Sequence, residues 1–106
     1  MVMELESIGP QLDRVTEEWS QGVDHGQDWA IKLIGGKYKI VEGAWKIVDT
    51  ALDVMGGFGI FKQSPIERIR RDARLGRIHP GNYALSHEFV AKIALGINPD
   101  EPPRWG

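Results

Sequence analysis

The chain has 106 residues, enough for one domain with one core, and its formal charge of −2 makes no global case for nucleic acid or an acidic membrane as a partner. It contains no cysteine, which excludes disulfides, thiolate chemistry and cysteine-based zinc sites. No stretch approaches the ~20 apolar residues that span a bilayer, and Glu4 and Glu6 interrupt any signal-like start, so a cytoplasmic location is expected.

The first segment carries Leu5, Ile8, Leu12, Val15 and Trp19 at alternating steps of three and four, one stripe of an amphipathic helix. Pro10 stands inside that stripe, directly after Gly9. Proline suits a first helical turn, so the spacing predicts a helix mainly from about residue 10 to 22, with a turn before it; a longer, kinked helix is the alternative. GVDHG, residues 22–26, reads as the connection.

The second segment, Asp28 to Met55, returns Ala30, Val41, Ala44, Val48 and Met55 at helical spacing, a helix of about 40 Å. Gly35, Gly36 and Gly43 each weaken it by up to ~1 kcal/mol relative to alanine, and they also let a neighbouring helix come close. Three glycines then crowd into MGGFGIFKQSPIE, where one would end a helix.

A third helix has a start signal: Ser64 as N-cap, Pro65 at the first position and Glu67 where a capping box needs it, with Gly76 offering an end. The fourth follows Pro80 and Gly81, with Asn82 as N-cap and Gly96 as stop. The tail INPDEPPRWG is Pro-rich and without periodicity, an end expected to be poorly ordered unless Trp105 docks. The four tryptophans are many for this length and raise a subunit contact as one reading. With no period-two alternation, the expected fold is all-α, a helical bundle of two long and two shorter helices over residues 1–97, with a tail at 98–106.

Candidate chemistry is sparse. GGFG matches neither a dinucleotide fingerprint nor a P-loop; it reads either as a helix cap and turn or as bare backbone against a ligand. His87-Glu88 begins a zinc motif, but Ala91 stands where the second histidine belongs, so no metal site is expected. His25 and His79 fall near loops and read as solvent-exposed, with His79 the one titrating group beside the Pro80 loop. In ERIRRDARLGR, Arg70, Arg74 and Arg77 share a face, while Glu67 can pair with Arg70 or Arg71 and Arg68 with Asp72. Without interleaved aromatics this reads as a salt-bridged face or subunit contact, not a nucleic-acid site.

Read as one string, DVMGGFGIFKQSPIERIRRDARLGRIHPGN resembles the closing segment of the acyl-CoA dehydrogenase family. Its members end with a long helix, a G-G-x-G turn, a proline-led helix carrying R-D-A, and a loop opening the last helix. Gly56-Gly57-Phe58-Gly59, Ser64-Pro65-Ile66-Glu67, Arg71-Asp72-Ala73-Arg74 and Pro80-Gly81-Asn82 fall in that order, with detailed likeness over residues 44 to 96. The resemblance implies the family's C-terminal helical domain, here without its first helix and without the other domains that hold much of FAD and acyl-CoA.

It further implies that Gly56 and Gly57 lie against the adenosine diphosphate part of FAD, commonly one held by a neighbouring subunit, and that Asn82 stands where a threonine near the flavin is usual. The family's α-proton-abstracting glutamate is replaced by Pro80, and a common glutamine before the turn by Asp53. No catalytic residue is therefore assigned, and the chain alone is expected not to turn over acyl-CoA. The implied partners are further copies of the chain, as a dimer or tetramer, or a chain carrying the missing flavoprotein domains. The alternative function is a non-catalytic helical oligomerisation module.

Overall fold

The computed structural model describes residues 1–102, and over these the chain is all-α. The helices are α1 (Val2–Ser20), α2 (Asp28–Met55), α3 (Pro65–Ile78) and α4 (Tyr83–Ala94), with a 3₁₀ turn at Gly56–Ile60. Two are long and two shorter, as the periodicity requires. Trp105 lies outside the described residues.

The first helix does not begin at Pro10. It runs unbroken from Val2 with Pro10 inside it, because contacts on both sides of the proline tie it down. Before Pro10, Glu4 bonds Lys46 at 2.7 Å and Ile8 is buried against Gly43; after it, Glu18 meets Lys32 at 3.3 Å. An interior proline costs roughly 3 kcal/mol, and only tertiary packing of this kind overrides it.

Those contacts also define the arrangement. Residues 4, 8, 11 and 18 of α1 meet 46, 43, 36 and 32 of α2, so the two helices lie antiparallel. On the other flank, α3 runs back along the C-terminal half of α2, with Ile66 near Gly59, Arg70 on Asp49, Gly76 on Val41 and Arg77 on Glu42. The fourth helix continues in line along the N-terminal half of α2. There His87 stacks edge-on against Tyr38 at 4.6 Å, and Ile93 shares a cleft with Ala30.

Every helix thus packs on α2, and the result is a slab of 49 × 36 × 19 Å with a radius of gyration of 16.6 Å. A compact chain of this length has a radius near 13 Å. Ile8 is the single buried apolar residue among those described. No helix described is long and apolar enough to cross a membrane.

The end of α3 differs from the sequence reading. The third helix passes through Gly76, which has no side chain to obstruct Val41, and stops at Ile78 with His79 as C-cap. Residues 96–102 fold back on α4, where Lys92 Nζ donates to the Glu101 carbonyl at 2.6 Å and the Ile97 amide to the Lys92 carbonyl at 2.8 Å.

Candidate functional site

The glycine cluster sits where α2 ends. Gly56 takes φ +59° and ψ −148°, a backbone region that is essentially glycine's alone. Its N–H points back to the carbonyls of Asp53 and Leu52, closing the helix. Gly56 therefore offers bare surface rather than a free donor. Among the described residues, no atom beyond the adjoining residues lies within 4 Å of where a side chain would project from Gly56 or Gly57, and both are exposed. Gly59 differs: it is buried, and a β-carbon there would collide with Leu52. One glycine of the cluster thus serves packing, while two leave an open ledge.

Phe58, Ile60 and Phe61 flank the ledge and are exposed. The negative end of the α2 dipole and the Asp53 carboxylate both lie at this turn, so its field opposes a close phosphate. A ledge without side chains, bordered by aromatic surface, fits a flat uncharged ring system better. The adenosine portion of FAD has that character, so the residues present fit that part of the cofactor.

A second cluster surrounds Asn82. The Asn82 Oδ1 accepts from the Leu85 amide at 3.2 Å, making this exposed residue the N-cap of α4. The preceding loop is pinned from two sides. Lys37 Nζ donates to the Pro80 carbonyl at 2.5 Å and the Gly81 carbonyl at 3.2 Å, and Ser86 Oγ donates to the Gly81 carbonyl at 2.7 Å. Neither Lys37 nor Ser86 is singled out by sequence, since a lysine on a long helix looks like a solvated face until α4 is laid beside it. The exposed His79 stands 3.3 Å from the Pro80 carbonyl and pairs with no carboxylate among the described residues.

The structure does not bring the two clusters together. Lys37 and Gly56 are 19 residues apart on α2, which at ~1.5 Å per residue separates them by roughly 25–30 Å. One ligand group cannot touch both Gly57 and Asn82 within a single chain.

The arginine face has a specific target. The guanidinium groups of Arg70, Arg74 and Arg77 surround the Trp45 ring at 5.2, 5.6 and 5.7 Å from its centroid. Arg70 also pairs with Asp49 and Arg77 with Glu42, at 3.4 and 2.8 Å, while Glu67 takes Arg71 and Asp72 takes Arg68. Positive charge on this helix is therefore largely spent on the chain itself.

At the α1–α2 connection, Glu18 receives Arg14 at 2.8 Å, His25 at 2.8 Å and Lys32 at 3.3 Å. The Arg14 hydrogen bond leads in holding the Glu18 carboxyl down at about 2; partial burial opposes it, and His25 and Lys32 add to it. His25 is thus not the free loop residue expected, but is half-buried between Glu18 and the Trp29 ring, 4.7 Å away. No group of three His, Asp or Glu residues among those described could hold a metal ion.

Comparison with known proteins agrees with this architecture. The family model for the acyl-CoA dehydrogenase C-terminal domain matches residues 10–95. The very long-chain specific acyl-CoA dehydrogenase, mitochondrial, of Mus musculus is 37% identical over 76% of this chain, and so is that of Homo sapiens. The acyl-CoA dehydrogenase FadE12 of Mycobacterium tuberculosis is 32% identical over 78% of it. The chain spans only 13% of the two mammalian proteins and 22% of the bacterial one. No solved structure gives a significant match. A family match over most of the chain, together with relatives 37% identical over three quarters of it, shows that the chain belongs to the acyl-CoA dehydrogenase family and carries its C-terminal domain.

Proposed function

We propose that this chain is the C-terminal helical part of an FAD-dependent acyl-CoA dehydrogenase-like oxidoreductase, contributing one wall of a flavin site and part of the subunit assembly, and inactive alone. The supporting observation is the open ledge at Gly56 and Gly57, where, among the described residues, no atom beyond the adjoining residues lies within 4 Å of the place a side chain would take. FAD, when bound, supplies the acceptor for hydride leaving an acyl thioester. This chain's residues supply shape: Gly56 and Gly57 admit a ring edge, and Asn82 keeps its amide donors for a ligand while its oxygen caps α4.

Proton abstraction is outside its reach. Pro80 has neither carboxylate nor N–H, and its carbonyl is held by Lys37. The base must come from another segment or subunit.

The test separates ledge from fold. Gly57→Leu adds a side chain in empty space, so thermal stability stays within ~0.5 kcal/mol of wild type, while any perturbation of the flavin spectrum seen on mixing FAD with the wild-type chain and its partner domains disappears. Unchanged flavin binding by Gly57→Leu sinks the reading.

A second reading, a non-catalytic oligomerisation module, is favoured by one observation: Ile8 alone among the described apolar residues is buried. That reading predicts self-association with no flavin perturbation under any condition.

A further inference from the structure

The Asn82 side of the flavin wall depends on the loop that carries it. Building on the flavin reading above, and resting on it, we propose that Lys37 of α2 is a positioning residue of the site. Its ammonium holds the α3–α4 loop from behind and so sets how Asn82 is presented to a bound flavin.

This lysine is used differently from its neighbours. Lys32, Lys46 and Lys92 each reach a carboxylate, at 3.3, 2.7 and 2.7 Å. Lys37 pairs with no carboxylate among the described residues; its Nζ donates to the Pro80 carbonyl at 2.5 Å and to the Gly81 carbonyl at 3.2 Å. Hydrogen bonds from a charged donor are roughly twice as strong as neutral ones. One side chain thus grips two successive peptide groups in a loop outside regular structure, 43 and 44 residues further along the chain.

The loop is shaped to that grip. Gly81, left-handed at φ +77°, lies between the two carbonyl groups and lets both face one ammonium. A β-carbon there would stand 3.0 Å from Lys37 Nζ. The Gly81 carbonyl also accepts from Ser86 Oγ at 2.7 Å, and Ser86 is buried. The loop is therefore tied to α2 and α4 at once. The space left among Lys37, Val41, Gly76 and Asn82 is about 10 Å³, so the loop has no room to settle closer.

Asn82 takes its place from this clamp. It follows Gly81 directly, and its Oδ1 is committed to the Leu85 amide. Pro80, Asn82 and Tyr83 are exposed while Lys37 is half-buried, so the lysine acts from the protein side and leaves the ligand side open. The glycine ledge lies outside its reach, because Lys37 and Gly56 stand roughly 25–30 Å apart along α2. Losing the ammonium should therefore change the surroundings of the flavin ring without removing the adenosine contact.

Two measurements test it. In the full chain alone, the Leu85 and Ser86 amides bond to Asn82. Their hydrogen exchange should be at least ~10-fold faster in Lys37→Met, with amides in the second half of α2 unchanged. Mixed with FAD and the partner domains, Lys37→Met should bind FAD within ~3-fold of the wild-type affinity, yet displace the flavin absorption band from its wild-type position. The chain has no cysteine, which permits a chemical rescue. Aminoethylation of the thiol in Lys37→Cys rebuilds a side chain of lysine's length ending in an ammonium, and should return both readings to wild type. Carboxamidomethylation adds a neutral arm and should restore neither. Because one variant is compared with itself, a general loss of stability cannot mimic the rescue.

A wild-type mixture with no flavin perturbation overturns the flavin reading and this inference with it. A wild-type perturbation that Lys37→Met leaves in place overturns the role of Lys37 alone. So does exchange at Leu85 and Ser86 no faster than in wild type, or an aminoethylated thiol that restores neither reading. Lys37→Met that no longer binds FAD shows that the lysine belongs to the binding wall itself, and overturns its role as a positioning residue.

Discussion

Ile8 of α1 sits directly on Gly43 of α2, so that a β-carbon added at Gly43 would come within 2.6 Å of Ile8 Cγ2 and 3.3 Å of Glu4 Oε1. That methyl is bonded directly to the branched Cβ of Ile8 and cannot swing aside as a long side-chain tip could. Gly43→Ala gains up to ~1 kcal/mol of helix propensity but separates the one buried apolar contact of the α1–α2 pair. The expected net effect is a loss of about 1–2 kcal/mol. Gly35, eight residues earlier on the same helix, meets nothing within 4 Å, and Gly35→Ala should stabilise by about 0.5–1 kcal/mol. Denaturant titrations of the two variants should move in opposite directions; movement in the same direction shows that Gly43 is not a packing glycine.

Acid should loosen the α1–α2 connection. Glu18 has its carboxyl held at about 2 against an ordinary value of 4.5, chiefly by the Arg14 hydrogen bond, with His25 and Lys32 assisting against the opposing effect of burial. A carboxylate with a lowered folded-state pKa stabilises the fold above its unfolded pKa and stops doing so as pH falls through the folded value. The stabilisation is therefore present above about pH 4.5 and lost between there and about pH 2. Glu18→Gln should remove that segment of the acid-stability curve, and a superimposable curve for variant and wild type refutes the assignment.

Trp45 makes one residue of α2 the anchor for three turns of α3. Each guanidinium–indole contact is worth ~0.5–1 kcal/mol at a partly exposed site. Trp45→Ala is accordingly expected to cost about 2–3 kcal/mol, more than Arg74→Ala, which lacks a carboxylate partner among the described residues. A double-mutant cycle between positions 45 and 74 should give a coupling of ~0.5–1 kcal/mol. Zero coupling means that the ring and the guanidinium are neighbours without mutual attraction.

What sequence could and could not disclose follows from the same residues. Helical period, Pro65 at a first turn and Asn82 before an apolar run are local signals, and α2, α3 and α4 follow from them. The start of α1 did not, because the local rule about Pro10 is outweighed by Glu4 and Ile8 gripping α2 some forty residues away. The arginines of α3 were readable as one face, but Trp45 as their target depends on the α2–α3 register. Likewise Lys37 carries no mark of its grip on Pro80 and Gly81. The family likeness supplied the glycine turn as a candidate; periodicity alone left it divided between a cap and a ligand surface.

The two N-caps read alike in sequence and differ in substance. Asn82 makes its hydrogen bond to Leu85, so Asn82→Ala should cost about 1 kcal/mol. Asn82→Asp keeps the accepting oxygen and should hold stability within ~0.5 kcal/mol while removing the amide donors. Ser64 occupies the N-cap position with extended backbone, yet makes no capping bond; Glu67 turns to Arg71 at 2.7 Å, and Ser64 Oγ is buried without a partner among the described residues. An unsatisfied buried hydroxyl is a liability of ~1–3 kcal/mol. Ser64→Ala is therefore expected to be neutral or stabilising by up to about 1 kcal/mol, the reverse of the usual capping result. Thermal melts of the three variants decide the matter: a Ser64→Ala loss as large as that of Asn82→Ala would mean that the serine caps α3 after all.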